Sequence, residues 1–458
     1  MTKGESWLNN RMRLSRRRVV AGLGATSAAV AGMAMLPGWG FADDFDAIYA
    51  QAAIDWRQFA GQTITLAGAT HPWSKAIGPL LPQFTKLTGI NVVSEFQQET
   101  EYLGALQIKL ARGSSTPDVF MFYGYGLGIA AGWLEPLAAH YSDESLTDLA
   151  WYDEGDLLKS AVTYPLWSDG DRYAFPITSE AMTLFLNTKA LTAKDQPVPG
   201  TFDELLATAK AVKTKDMSGI AMRAGATGDS SAPPMGFVFS YGGTMVKDHR
   251  AAFDSPEAIA AIEMYGRLLR EAGPANVGSY DWYQVLGDFL QAKTAMAIDS
   301  SNFATDISNP AKSRVTAEAG FAAFPHLAGR SSVPYMSHWQ ASINSKSQNK
   351  KAAFLFMLWA TSKPTSLQTA AAGLATTRLS AWSSEGFKQA FGREAAAAAL
   401  TNLQHGNINL TKAIIYHPQS SAILDAFMIG VNEVASGARP AKEAMTAAAA
   451  QANAAIPG

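Results

Sequence analysis

Two rhythms of apolar and polar residues take turns along this chain. Residues 63–67 alternate as a short β-type run, 75–87 repeat at helical spacing, 90–96 are β-rich, 102–112 are helical again, and 118–123 read as a buried strand. Alternation of this kind predicts βαβ units around a mostly parallel sheet covered on both faces. Ligand sites in such sheets lie at the carboxyl ends of the strands. A second α/β region follows. Thr201-Phe202-Asp203-Glu204 has the spacing of a capping box and predicts a helix through Val212. Asp254-Ser255-Pro256 opens another, with Ile259, Ile262, Tyr265 and Leu269 on one stripe and Gly273-Pro274 as its stop. Residues 282–292 predict a helix leading into a strand at 295–298. Strands are expected at 320–324 and 341–344, and helices at 350–360 and 418–435. No internal repeat of fixed period is present.

The chain has 458 residues, too many for one compact core, so two domains are expected. An apolar share of 48% is that of a globular chain and excludes wholesale disorder. The formal charge of −2 hides an asymmetry, because residues 1–42 hold Lys3, Arg11, Arg13, Arg16, Arg17 and Arg18 against Glu5 alone. The remainder is therefore acidic and has no electrostatic footprint for nucleic acid or anionic lipid. Residues 1–42 read as a cleavable export signal: a basic stretch, an uncharged run over 19–36, then Gly40-Phe41-Ala42. The run is diluted by Gly22, Gly24, Thr26, Ser27 and Gly32, which weakens its transfer into lipid. Its paired arginines resemble a twin-arginine signal, with Val19-Val20 where that class usually has Phe-Leu. With no cysteine in the chain, disulfides, thiolate metal sites, a cysteine nucleophile and a lipidated cysteine tether are all excluded. A freely diffusing periplasmic protein is the expectation.

Most chemistry is unsupported by the motifs. The seven histidines (71, 140, 249, 326, 338, 405 and 417) include no pair at i, i+4 spacing, so no metal site is expected. There is no G-x-S-x-G elbow and no Walker sequence. Gly126-Leu127-Gly128-Ile129-Ala130-Ala131 fits a variant of the dinucleotide fingerprint, yet it follows the third strand of its region and no strand ending in an acid lies about twenty residues on. It reads instead as a glycine turn starting a helix near a cleft. Glu99, Glu101, Glu180 and Asp299 leave open the carboxylate pair of a glycosidase, whose separation the sequence does not give.

Read as a whole, the chain resembles the family 1 extracellular solute-binding proteins of ABC importers, the class that includes maltodextrin-binding protein. The resemblance is carried by residues 131–137 (AGWLEPL), 170–176 (GDRYAFP) continuing through Glu180 to Asn187, 201–205, Gly242-Gly243, 254–258 (DSPEA), 289–296 and 345–354, in shared order. It implies an α/β fold of two lobes of the type II periplasmic-binding-protein kind, each a mostly parallel sheet flanked by helices, joined by a multi-crossing hinge. By that pattern 1–42 is the signal, 43–181 plus 299–350 the first lobe, and 182–298 plus 351–458 the second. The implied function is capture of a small sugar or polyol by lobe closure and delivery to ABC permease transmembrane subunits, by a monomer with no cofactor and no covalent step. A secreted carbohydrate-active enzyme and a sugar sensor without transport are the competing readings.

Carried over residue by residue, the family's site falls on His71 and Trp73 after the first strand, Gln97 and Gln98 at the end of the second with Glu99 close behind, and Tyr123 and Tyr125 after the third. Glu180 stands where the family often has a hydroxyl-binding carboxylate. The second lobe would supply Tyr241, Asp281 and Trp282; returning segments would supply Asp299, Asn302, His338 and Trp339, and the late segment Arg378. Aromatic faces cover the C–H face of a sugar while carboxylates and amides bond its hydroxyls. Each tryptophan has a core or hinge anchor as its alternative role. Where the family commonly has Gly-Ser-Trp, this chain has Ser300-Ser301-Asn302. An amide there in place of a stacking ring favours a compact polyol, monosaccharide or short glycoside over a long maltodextrin.

Overall fold

The computed structural model describes residues 42–457, and the export segment expected over 1–42 lies, apart from Ala42, outside the described residues. The body beginning at Phe45 is built as follows. Its strands in chain order are β1 (Thr63–Ala69), β2 (Asn91–Gln97), β3 (Val119–Phe122), β4 (Phe175–Pro176), β5 (Glu180–Asn187), β6 (Val246–Lys247), β7 (Arg250–Ala251), β8 (Met296–Ser300), β9 (Ala319–Ala322), β10 (Met336–Ser337) and β11 (Gln340–Ile343). They form two larger sheets and the small hairpin β6–β7.

The first sheet has the order β2-β1-β3-β11-β4. Its centre is parallel, with Thr63 opposite Asn91 and Leu66 opposite Val119, while β11 runs antiparallel to both β3 and β4. The second sheet is built on β5, whose eight residues are all buried. Leu184, Phe185 and Leu186 carry that burial, each contributing about 1.5–3 kcal/mol. Parallel pairing, expected of both sheets, holds at the centre of the first; in the second, β8, β9 and β10 all run antiparallel to β5. Parallel contact there is confined to isolated bridges such as Ala221 with Ala297.

Local signals set the helices. Thr201 accepts from the Glu204 N–H while Glu204 reaches back to the Thr201 N–H, and helix Phe202–Val212 follows. Ser255 caps helix Pro256–Ala272, which ends at Gly273. The glycines expected to form a turn at 126–128 lie inside the short helix Tyr125–Ala130, and they have a packing cause. A Cβ on Gly126 would lie 2.2 Å from the Tyr416 carbonyl oxygen, and one on Gly128 would lie 2.8 Å from the Phe122 ring.

The chain leaves the first sheet after Pro176, enters the second at Glu180, and returns between Ser337 and Gln340. The two crossings run side by side, since the Ile177 N–H donates to the Trp339 carbonyl at 2.7 Å. This departs from the expected division at two places. Residues 299–337 stay with the second sheet, because β9 and β10 pair with β5. Helix Lys350–Ala360 lies on the first sheet, with Phe354 against Phe175 and Phe356 and Trp359 against Phe84. Helix Arg393–His405 does lie on the second: Asn402 donates to Thr183 Oγ1 at 3.0 Å and accepts from the Phe324 N–H at 2.8 Å.

Arg378, expected at the ligand site, is instead a fully buried strut. Nε donates to the Thr361 carbonyl at 2.8 Å, Nη1 to Asp153 at 3.0 Å and Nη2 to Tyr152 at 2.8 Å, and the guanidinium lies 4.7 Å from the Tyr152 ring centre. A long, multiply donating cation is what three inward-facing carbonyls from two separate segments require. Arg378→Ala leaves them unpartnered and is expected to lower unfolding free energy by about 3–5 kcal/mol, measured by urea denaturation.

Candidate functional site

A cavity of about 360 Å³ opens between the carboxyl ends of β1, β2 and β3 and the elements around β5 and β8. Of the expected site residues, His71, Tyr123, Glu180, Trp282, Asn302 and Trp339 line it, as does Glu99. Its centre is Glu180, the first residue of β5 and 7% exposed. Oε1 accepts from Thr178 Oγ1 at 2.9 Å and from His71 Nε2 at 3.2 Å; Oε2 accepts from Ser300 Oγ at 2.6 Å. His71 Nδ1 accepts the Trp73 N–H at 3.2 Å, which leaves the ring hydrogen on Nε2 facing Glu180. Burial by itself would raise the Glu180 carboxyl, but its bonds to His71, Ser300 and Thr178 outweigh that and hold it down at about 2.

Glu99, the first residue of helix Glu99–Ala111, has the opposite fate. Burial and then the Asp229 carboxylate push it up to about 7, against the pull of His71 and Arg223. Arg223 and Asp299 lie beneath. Nε of the arginine donates to Asp299 Oδ2 at 2.8 Å, Nη2 donates to Oδ1, and Nη1 donates to the Asp229 carbonyl at 2.9 Å. Desolvation works against the guanidinium's charge, yet the fully buried Asp299 beside it raises its pKa further. Asp299 is thus committed to Arg223 and is not among the cavity-lining residues.

Aromatic rings and one amide complete the wall. His71 and Trp339 have centroids 5.3 Å apart, Trp339 and Tyr123 5.5 Å, and the Tyr123 hydroxyl meets that of Tyr335. Trp282 and Phe303, 5.8 Å apart, come from elements flanking β8. Asn302 is 4% exposed, and neither its Oδ1 nor its Nδ2 has a partner. A buried amide with nothing to bond costs about 1–3 kcal/mol, so its place at the cavity wall points to a hydrogen-bonding guest.

The remaining expected residues are held elsewhere. Trp73 is 1% exposed beneath its own short helix, and Tyr125 is buried against Phe122 and Tyr416. Gln98 caps helix Glu99–Ala111 and Asp281 caps helix Trp282–Leu290, so both spend their acceptors on backbone N–H groups. Tyr241 packs on Phe202 at 5.4 Å. His338 lies in the second crossing, buried, with Nδ1 3.0 Å from the Thr178 carbonyl and Nε2 3.0 Å from Ser160 Oγ; desolvation takes it down to about 4. Sequence reading did not nominate Arg223, Asp229, Ser300, Phe303 or Tyr335, all of which line the cavity. One signal existed: Arg223 interrupts the apolar run Ile220-Ala221-Met222, where a lone cation needs a buried partner.

The two carboxyls give opposite pH dependences. Glu99, raised from an ordinary 4.5 to about 7, contributes stability below 4.5 that is lost as pH rises toward 7. Glu180, lowered from 4.5, contributes stability above 4.5 that is lost as pH falls toward 2. Glu99→Gln is expected to flatten the decline in stability between pH 4.5 and 7. Urea titrations at both pH values test this; an unchanged slope contradicts it.

The family described as bacterial extracellular solute-binding protein matches residues 68–365. An erythritol/L-threitol-binding protein of Mycolicibacterium smegmatis is 26% identical over 387 residues, 79% of this chain and 80% of that protein. A mannitol-binding protein of Pseudomonas aeruginosa is 26% identical over 243 residues, 51% of this chain and 53% of that one. Among solved structures, an ABC transporter solute-binding protein of Agrobacterium radiobacter in complex with ribitol superposes with a TM-score of 0.78 at 24% identity, covering 87% of this chain and 99% of its own. The two sheets, their paired crossings and the match across both place the chain in one family: it belongs to the bacterial extracellular solute-binding proteins.

Proposed function

We propose that this chain is the capture component of an ABC importer, exported to the periplasm, where it takes a small neutral polyol or compact sugar and presents it to a membrane permease. The observation that carries the ligand class is the unpartnered Asn302 amide beside an ionised Glu180, walled by Trp339, Tyr123 and Trp282. Carboxylate and amide bond hydroxyls of either polarity, and the rings cover the carbon chain. A site of this design rejects analogues lacking the hydroxyls. The names of the relatives agree with the reading, two being an erythritol/L-threitol-binding and a mannitol-binding protein.

The lobes are the two sheets with their helices, and the hinge is the pair of crossings at 177–179 and 338–339. Closure brings Glu180, His71 and Asn302 around one guest, and the guest shifts the population toward the closed form. No bond is made or broken. Among the described residues no helix is long and apolar enough to cross a membrane.

Calorimetric titration with erythritol, ribitol, mannitol, tagatose and maltotriose tests the reading. Micromolar binding of a polyol is expected, about −8 kcal/mol, with the ligand recovered unchanged; preference for maltotriose or appearance of a product overturns it. Asn302→Ala is expected to leave the free protein at least as stable while weakening polyol binding by about tenfold or more, read by thermal melting and titration.

A further inference from the structure

The charges around the cavity do not cancel. Its acidic lining is Glu180, Glu99 and Asp229, with Asp306 farther along; its basic lining is His71, Lys75, Arg223 and Lys312. Arg223 is neutralised by Asp299 through two hydrogen bonds and gives Nη1 to a backbone carbonyl. Lys312 is paired with Asp306 at 2.5 Å. His71 faces Glu180 as an Nε2–H donor, and Lys75 is exposed to solvent. Glu99 and Asp229 remain, one from each side of the cleft; among the described residues neither forms an ion pair, and Thr100 Oγ1 donates to Asp229 Oδ2 at 3.3 Å. The unpartnered, buried amide of Asn302 lines the same cavity and marks it as a space that a guest fills.

Resting on the polyol reading above, we propose that Glu99 and Asp229 give the cleft a charge filter: it admits neutral polyols and polyhydroxylated amines and rejects the corresponding polyol acids and phosphates. A carboxylate or phosphate carried in on the ligand meets two acidic groups, and the buried cation beside them, Arg223, is already neutralised by Asp299. Such a like-charge meeting in a desolvated site is strongly unfavourable. A protonated amine meets the reverse. It supplies the missing cation, donates to Glu99 and Asp229, and lies among rings whose faces attract it. Both carboxyls are pushed upward, each first by burial, and the pull of Arg223 on them does not reverse it.

The test is calorimetric titration at pH 7.5 with one carbon skeleton in three charge states, D-glucitol, 1-amino-1-deoxy-D-glucitol and D-gluconate, with ribitol and ribonate as a shorter series. Gluconate and ribonate are expected to bind about a hundredfold more weakly than glucitol and ribitol, and the amine at least as well as glucitol. In Glu99→Gln/Asp229→Asn the ratio of polyol to acid affinity is expected to shrink about tenfold. Acids within about threefold of their polyols, an amine more than about tenfold weaker than glucitol, or an undiminished penalty in a double variant that melts normally overturns the charge filter and leaves the polyol reading standing. Failure of glucitol and ribitol alike to bind overturns that reading and the filter with it.

Discussion

An ionised carboxylate buried where three chain segments meet is the constraint on which the site depends. Glu180 opens the central strand of the second sheet, yet its oxygens are held by His71 from the loop after β1, Thr178 from the first crossing and Ser300 from the end of β8. A charge so placed is tolerable only when hydrogen bonds replace its water. Those bonds fix the crossing, the loop and the strand end relative to one another, with Asn302 close by just after that strand end and Trp339 on the second crossing alongside. Loss of any one donor is felt by the whole wall.

A second buried pair does for the far side what Glu180 does for the near side. Arg223 and Asp299 join an isolated bridge strand to β8, and the arginine's remaining contact fixes the Asp229 backbone. The cost of desolvating both charges is offset by two-point geometry. The result is a rigid floor beneath a cleft whose other polar groups, Asn302 above all, have partners still to find. Contacts across the cleft include Thr100 with Asp229 and Tyr123 with Tyr335, so the two sheets meet through groups that a guest would touch as well.

Much of the fold was legible because it rests on local signals. The capping box at Thr201, the Ser255-Pro256 start and the Gly273 stop each act within a few residues, and the helices follow. The site was half legible for a related reason. His71, Tyr123, Glu180, Trp282, Asn302 and Trp339 sit at strand ends or on the crossings, where chain order predicts a cleft. Gln98 and Asp281 sit there too, but a cap and a ligand contact ask for the same side-chain oxygen, and only geometry says which wins. Tyr125, Trp73, His338 and Arg378 carry the right chemistry and spend it inside the protein.

The sequence by itself determined the alternation of strands and helices, the absence of thiol chemistry and the replacement of a stacking ring by Asn302. These depend on residue type and near neighbours. Tertiary structure alone decided that β9 and β10 return to β5, that helix Lys350–Ala360 covers the first sheet, and that Arg223 pairs with Asp299 rather than with Glu99 or Asp229. Each of those outcomes rests on a partner more than twenty residues away. Pairing over such distances is set by competition for burial and for hydrogen bonds across the whole body, which no local pattern encodes.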